Sequence, residues 1–434
     1  MKWSSMKNFI LKGDIVFSEE DKSLRACEDS YLVCADGKSC GVFSDFTKIP
    51  EEWRNFPLQD FSGKLIFPGL IDLHIHAPQF AYRGTAMDLE LIDWLNTYTF
   101  PEEVKYADED YARCAYGMFA DAVKRGATSR AVIFATRHRA ATEILMDLME
   151  ETGLVSYVGK INMDRESIPG LQEADCYDSA FNTFGWFQDI IGRYERTFPI
   201  LTPRFIPSCS DELMNELHEI QLTYDVPVQS HLSENPGEID WVKQLCPDSK
   251  FYGDAYEKWG LFGGRAKTVM AHCVYSCDEE VELMRKNGVF VAHCPTSNVN
   301  LASGIAPIRR YINEGLEVGL GSDVAGGDSE GMFLAIADAI KSSKMYWRLI
   351  DETAKPLTFA EAFYLATIGG GRFFGKVGSF LAGYEFDAVV LDDSCVKSPL
   401  KMSARERMER AVYMRLDSEH VLAKYVQGEK VKAP

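Results

Sequence analysis

Five of the eight histidines, His74, His76, His231, His272 and His293, fall at the C-terminal ends of apolar, strand-like runs. His74 and His76 form a His-x-His at the end of GLIDLHIH. On a strand, residues i and i+2 share a face, so both imidazoles can reach one metal ion. His231 ends VPVQSH and offers a third nitrogen. Glu234 follows in HLSE, near enough to line the same cavity. A carboxylate beside a metal-activated water is what an acid–base shuttle requires. The alternative for Glu234 is a helix cap, since Pro236 and Gly237 come next.

Asp323 ends VGLGSDV and suits a hard oxygen ligand or a base. Alone it could cap a helix; opposite three histidine-bearing strand tips, the ligand reading is favoured. His272, in VMAHC, is either a fourth nitrogen ligand or a hydrogen-bonding partner of the attacking hydroxide. His293, in FVAHCP, reads as structural, and His138, His218 and His420 sit in helical or surface contexts without assigned chemistry. Three imidazoles and a carboxylate fit Zn2+ with a water position left open, and Fe2+ accepts the same ligands. The fourth strand candidate, PILTPRFI, has Arg204 but no lysine that could bridge two metals. One ion per chain is therefore expected.

Such a site needs strands that end together. The strand candidates are 69–76, 129–134, 156–162, 199–206, 226–233, 267–274, 288–295 and 318–324. Helical patterns lie between them: 141–153, with Leu145, Leu148 and Met149 on one stripe, 211–221, 278–288 and 329–340. Acidic residues open 278–288 and Lys-Asn-Gly closes it, as helix polarity and capping favour. Eight strands alternating with helices predict a (β/α)8 TIM-like barrel over residues 68–375. A doubly wound sheet is weaker, because no Gly-x-Gly-x-x-Gly or phosphate loop follows an early strand. Residues 1–67 carry short strands, and 375–392 returns to strand and turn patterning. Residues 1–67 and 376–434 are thus expected to form a small β-sandwich domain from both termini, with a C-terminal helix at 401–414.

Composition excludes several partners. In 434 residues, 46 Lys and Arg stand against 65 Asp and Glu, a net charge of −19. That argues against gripping a nucleic-acid backbone, which needs clustered positive charge, but not against a free nucleobase. Eleven cysteines without a CxxC pair suggest a reducing compartment, the cytoplasm. The N-terminal FIL is too short for a secretory segment, and no apolar run approaches the ~20 residues of a membrane helix.

These residues also carry a resemblance. PGLIDLHIHAPQF (68–80), TPRF (202–205), SHLSEN (230–235), AHCVY (271–275), AHCPTSNVNLASG (292–304) and GLGSDVAGG (319–327) resemble motifs of the metal-dependent amidohydrolase superfamily. The likeness covers nearly the whole chain, including GSFLAGYEFDAVVLD near the end. HAPQF, TPRF and SDVAGG narrow it to the branch acting on guanine. The resemblance implies hydrolytic deamination of guanine to xanthine and ammonia. It implies His74, His76, His231 and Asp323 as metal ligands, Glu234 as proton shuttle and His272 as a contact to the attacking hydroxide. It also implies Gln79, Arg204 and Phe205 around the purine, and a homodimer. Ser322 stands where the family often has threonine, and Thr296 where asparagine is also seen. Aminohydrolases of cytosine, adenosine-type nucleosides or chloro-triazines are the alternatives, with a metal-retaining scaffold as the non-enzyme reading. The small zinc deaminase architecture is excluded by the missing Pro-Cys-x-x-Cys.

Overall fold

The computed structural model describes residues 7–431. Residues 1–6 and 432–434, the outer ends of the expected flanking segments, lie outside the described residues. The chain is a mixed α/β fold. One parallel run orders Leu70–His76, Thr128–Phe134, Val155–Gly159 and Thr197–Pro199; a second orders Val228–Leu232, Thr268–His272, Phe290–His293 and Glu317–Leu320. The short parallel pair Ile161–Asn162 and Thr202–Pro203 lies between them, and a parallel bridge from Leu201 to Val228 joins the runs. At the other side, the Asp323 amide donates to the His74 carbonyl at 2.8 Å and the His76 amide to the Val324 carbonyl at 3.1 Å.

Side chains alternate between two environments, as parallel strands covered on both faces require. Val132, Val269, Ala271, Phe290 and Ala292 join Ile71 and Leu73 in one apolar cluster. Their neighbours Ala131, Ile133, Met270 and Val291 pack instead into the large core shared with the helices. The register of Leu70–His76 against Thr128–Phe134 slips between Asp72 and Ile75. A bulge of this kind shifts the side-chain phase. Ile71 and Leu73 therefore lie in the apolar cluster, whereas beyond the slip His74 and His76 turn toward each other, with Nε2 atoms 3.1 Å apart.

The helices follow local signals. Asp108 caps Glu109–Arg125 by accepting from the amides of Asp110 and Tyr111. Gly153 and Gly288, at φ 77° and 66°, end Arg139–Thr152 and Asp278–Asn287 in the left-handed conformation that glycine adopts without a Cβ clash. The helix expected at 329–340 runs further, as Met332–Leu349. Among the described residues, no helix is long and apolar enough to cross a membrane, and the eleven cysteines are all free.

Three expected strands are shorter than read. The segment 156–162 breaks at Lys160, whose buried ammonium pairs with Glu173 at 2.6 Å. The segment 199–206 breaks after Pro199 and again after Pro203, leaving Arg204 and Phe205 in a loop. The last strand ends at Leu320, so Asp323 lies beyond it rather than at its tip.

Strands from both termini share one seven-stranded sheet among the described residues, in place of two stacked sheets. Its order is Glu429–Val431, Val421–Val426, Ala388–Leu391, Leu58–Pro68, Phe9–Ser18, Leu24–Ala35, Lys38–Phe43. The sheet curls strongly. Phe9 and Tyr425 sit three strand spacings apart, about 14 Å in a flat sheet, yet their rings are 5.0 Å apart. Ion pairs fix it to the central strands. The buried Arg130 guanidinium holds Asp387 at 2.7 Å and Glu385 at 2.7 Å. Lys424 Nζ donates to the carbonyls of Val123, Gly126 and Thr128 at 3.2, 2.7 and 2.8 Å. The expected helix at 401–414 is Ala404–Tyr413, opened by a Ser403–Glu406 capping box.

Candidate active site

The C-terminal ends of the parallel strands bring the predicted chemistry together. His74 Nε2 and His231 Nε2 lie 3.1 and 3.2 Å from His76 Nε2. Asp323 Oδ1 lies 3.2 Å from His74 Nε2 and 3.5 Å from His76 Nε2. His231 Nδ1–H donates to the Arg204 carbonyl at 2.6 Å. That bond fixes the tautomer and leaves the Nε2 lone pair aimed into the cluster. Burial, then the imidazole of His74, holds both His76 and His231 well below the ordinary histidine range, so both are neutral. Burial opposes ionisation of Asp323, but the imidazoles of His74, His272 and His76 outweigh it and hold the carboxyl far down, as a carboxylate.

This donor set fits a divalent cation. Neutral imidazole lone pairs crowded around one carboxylate are electron-rich on every side. Ligand atoms held at ~2.0–2.2 Å from one ion at angles of about 90–120° stand roughly 3.0–3.7 Å apart, which brackets the spacing observed and leaves room for a fifth, water position. Asp72 supports the set from below: its carboxyl accepts from the His74 amide at 3.1 Å and from the Ser322 amide at 3.0 Å. Burial raises the Asp72 carboxyl to about 7. Asp323 itself sits at φ 50°, and the neighbouring turns use the same left-handed region at Ser233, His272 and Cys273. Such conformations are costly for non-glycine residues and concentrate where a site imposes them.

Glu234 and His272 lie against each other beside this cluster. Glu234 Oε2 is 3.3 Å from His272 Nε2, and Ser303 donates to Glu234 Oε1 at 2.8 Å. Burial raises the Glu234 carboxyl to about 7. The next helix, Pro236–Leu245, is capped by Asn235, so the capping role considered for Glu234 is filled by its neighbour. His272 Nδ1 pairs with Asn298 Oδ1 at 2.9 Å and Nε2 lies 3.8 Å from Asp323 Oδ2. Burial opposes its ionisation, but Glu234 and Asp323 together raise it. His293 is buried outside this cluster with Nδ1 unpartnered, and burial lowers it to about 3.

Above these groups opens a cleft. Leu91, Trp94, Leu95, Phe205 and Leu301 form its apolar walls, and Gln79 and Arg204 its polar end. Arg204 is 3% exposed and forked onto Glu103, which is fully buried. Sequence reasoning missed Glu103 and Trp94. Asp72, Asn298, Leu301 and Ser303 fell inside motifs but were given no role. Asp72 carried a readable signal: a lone carboxylate in an otherwise apolar strand, two residues before His74.

The chain matches the sequence model of the Amidohydrolase family over residues 65–430. It is 37% identical over 381 residues to a guanine deaminase of Dictyostelium discoideum, covering 86% of this chain and 84% of that protein. It is 38% identical over 405 residues to a guanine deaminase of Mus musculus, covering 91% and 88%. A crystal structure of guanine deaminase from C. acetobutylicum with bound guanine in the active site superimposes with a TM-score of 0.94. That protein is 42% identical, and the match covers 98% of this chain and 100% of that one.

Proposed function

Because the chain belongs to the amidohydrolase family, we propose that its cleft binds guanine and carries out hydrolytic deamination. The chain is an enzyme: it converts guanine and water to xanthine and ammonia. One observation carries the reading. A donor-lined recognition end, Arg204 and Gln79, shares a single cleft with His76, His231 and Asp323, which gather with His74 in one cluster. Guanine presents acceptors at O6 and N7, which suit such an end.

His74, His76, His231 and Asp323 would hold one ion, Zn2+ suiting three imidazole nitrogens and a carboxylate oxygen, with Fe2+ compatible. When bound, that ion supplies Lewis acidity that makes a water acidic near neutral pH. Asp323 takes a proton from the attacking water, and His272 orients the oxygen toward C2. Glu234 gives a proton to the ring nitrogen beside C2, so that C2 can become tetrahedral. Glu234, left as a carboxylate, then takes the proton of the new C2 hydroxyl and passes it to the departing amine as the C2 carbonyl forms, and the proton held by Asp323 returns to Glu234. A carboxyl raised to about 7 suits a group that both gives and takes a proton near neutrality. Phe205 and the apolar walls exclude water around the ring.

We further read the parallel strands of residues 68–375 as a closed (β/α)8 barrel, supported by the hydrogen bonds from Asp323 to His74 and from His76 to Val324. The curled terminal sheet, built from strands between Phe9 and Pro68 and between Ala388 and Val431, acts as the small β-domain beside it. Exposed Met345, Leu349, Ile350, Tyr413 and Met414 lie near the ends of two packed helices and offer a homodimer an apolar face.

Ammonia release from guanine, adenine and cytosine tests the substrate. Guanine is expected to be preferred strongly, since a site built to hydrogen-bond a group rejects analogues that leave its donors unpaired. Preference for adenine or cytosine would contradict the assignment while leaving the fold intact.

A further inference from the structure

We propose that Glu103 is a positioning residue that sets substrate preference by locking Arg204 and Gln79 as donors toward position 6 of the purine. The inference rests on the functional reading above and adds a residue outside every motif of the sequence. Glu103 Oε2 accepts from Arg204 Nη1 at 2.5 Å, and Oε1 accepts from Arg204 Nη2 at 3.0 Å. The same Oε1 accepts from Gln79 Nε2 at 3.1 Å. On the far side, the Ala325 amide donates to Gln79 Oε1 at 3.2 Å.

These bonds decide what the cleft sees. The carbonyl of Gln79 is engaged, and one of its two amide hydrogens is spent on Glu103. With the carbonyl turned toward the Ala325 amide, the amide keeps its second N–H to offer the cleft. The Arg204 guanidinium can only donate, and its fork onto the carboxylate fixes the plane in which it does so. Its face lies over the Phe100 ring at 5.0 Å. Phe100 and Glu103 both belong to Phe100–Val104, so one short helical turn holds the guanidinium from two directions. The recognition end is thus dominated by donors. It suits an oxo group at C6 and opposes an amino group there.

Without the carboxylate, Arg204 loses its fork and the Gln79 amide is free to turn its carbonyl inward. The test compares kcat/KM for guanine and for 2,6-diaminopurine, which differ at position 6, in the parent protein, Glu103→Gln and Glu103→Asp. Metal content is measured on each sample. Loss of hydrogen bonds to a charged group predicts a fall of at least ~10-fold in the guanine to 2,6-diaminopurine ratio for Glu103→Gln. The loss should fall mainly on KM for guanine, with metal unchanged. Glu103→Asp keeps the charge but withdraws it by one methylene, and should lower the ratio less, by about 3-fold or more. If Glu103→Gln does not fold, the aspartate variant alone carries the test. A purely structural role would lower both substrates together, so a ratio within about twofold of the parent in either folded variant overturns the proposal. Guanine turnover by the parent tests the functional reading separately, since it does not depend on how the ratio changes.

Discussion

Glu234→Gln separates proton transfer from binding. The amide matches the carboxyl in shape. Its oxygen can still accept from Ser303, which donates to Glu234 Oε1 at 2.8 Å, so the fold and the metal cluster should persist. It cannot take up or release a proton. General acid–base groups contribute ~10²- to 10⁴-fold, which is about 2.7–5.4 kcal/mol of barrier at ~1.36 kcal/mol per tenfold. Stability should move the other way in metal-free protein. Burial raises the Glu234 carboxyl from an ordinary 4.5 to about 7. The folded state therefore binds this proton more tightly than the unfolded state. Below about 4.5 the group costs nothing by this route; the penalty grows as pH rises toward about 7 and is complete above it. At ~1.36 kcal/mol per pKa unit the full penalty is about 3 kcal/mol as an upper bound. Metal-free Glu234→Gln should thus resist urea better than the parent at pH 8 and lose that advantage by pH 4.5. Ammonia release on metal-loaded protein and urea midpoints at the two pH values measure both effects. Turnover within threefold of the parent would refute the shuttle role, and a pH-independent stability difference would refute the burial argument.

His76→Ala should lose both tightly bound metal and turnover, because the cluster cannot spare a ligand; elemental analysis beside ammonia release checks it. His293→Asn should retain stoichiometric metal, since His293 lies outside the ligand cluster, and complete metal loss from a folded variant would contradict the ligand set. Lys424→Met should destabilise the protein by roughly 2–4 kcal/mol, as three buried carbonyls lose a charged donor. Urea denaturation reads that loss, while the KM for guanine should stay within about twofold, because Lys424 contacts no residue of the cleft.

What the sequence revealed is mostly what local spacing encodes. His74 and His76 are two residues apart, and their shared face is set by strand geometry alone. The bulge between Asp72 and Ile75 was not legible, because a register slip belongs to the pairing with Thr128–Phe134 and not to the strand itself. Asp323 was identified as a ligand candidate but assigned to a strand. Its left-handed backbone is imposed by contacts with the first strand, through its amide on the His74 carbonyl. Arg204 was singled out, yet its partner Glu103 lies 101 residues earlier in the chain. Ser303 and Glu234 are 69 residues apart. Side chains that orient the chemistry come from wherever the fold delivers them, so they leave no spacing to read. The terminal strands were recognised individually, but their merging into a single curled sheet depends on pairing between the two ends of the chain.

The most direct test of the central claim is to strip the protein of metal and titrate Zn2+ back while measuring xanthine and ammonia from guanine. The account predicts negligible turnover without metal, equal amounts of the two products, and activity rising to a plateau near one ion per chain. Full guanine turnover by metal-free protein, or a plateau at two ions, would contradict it.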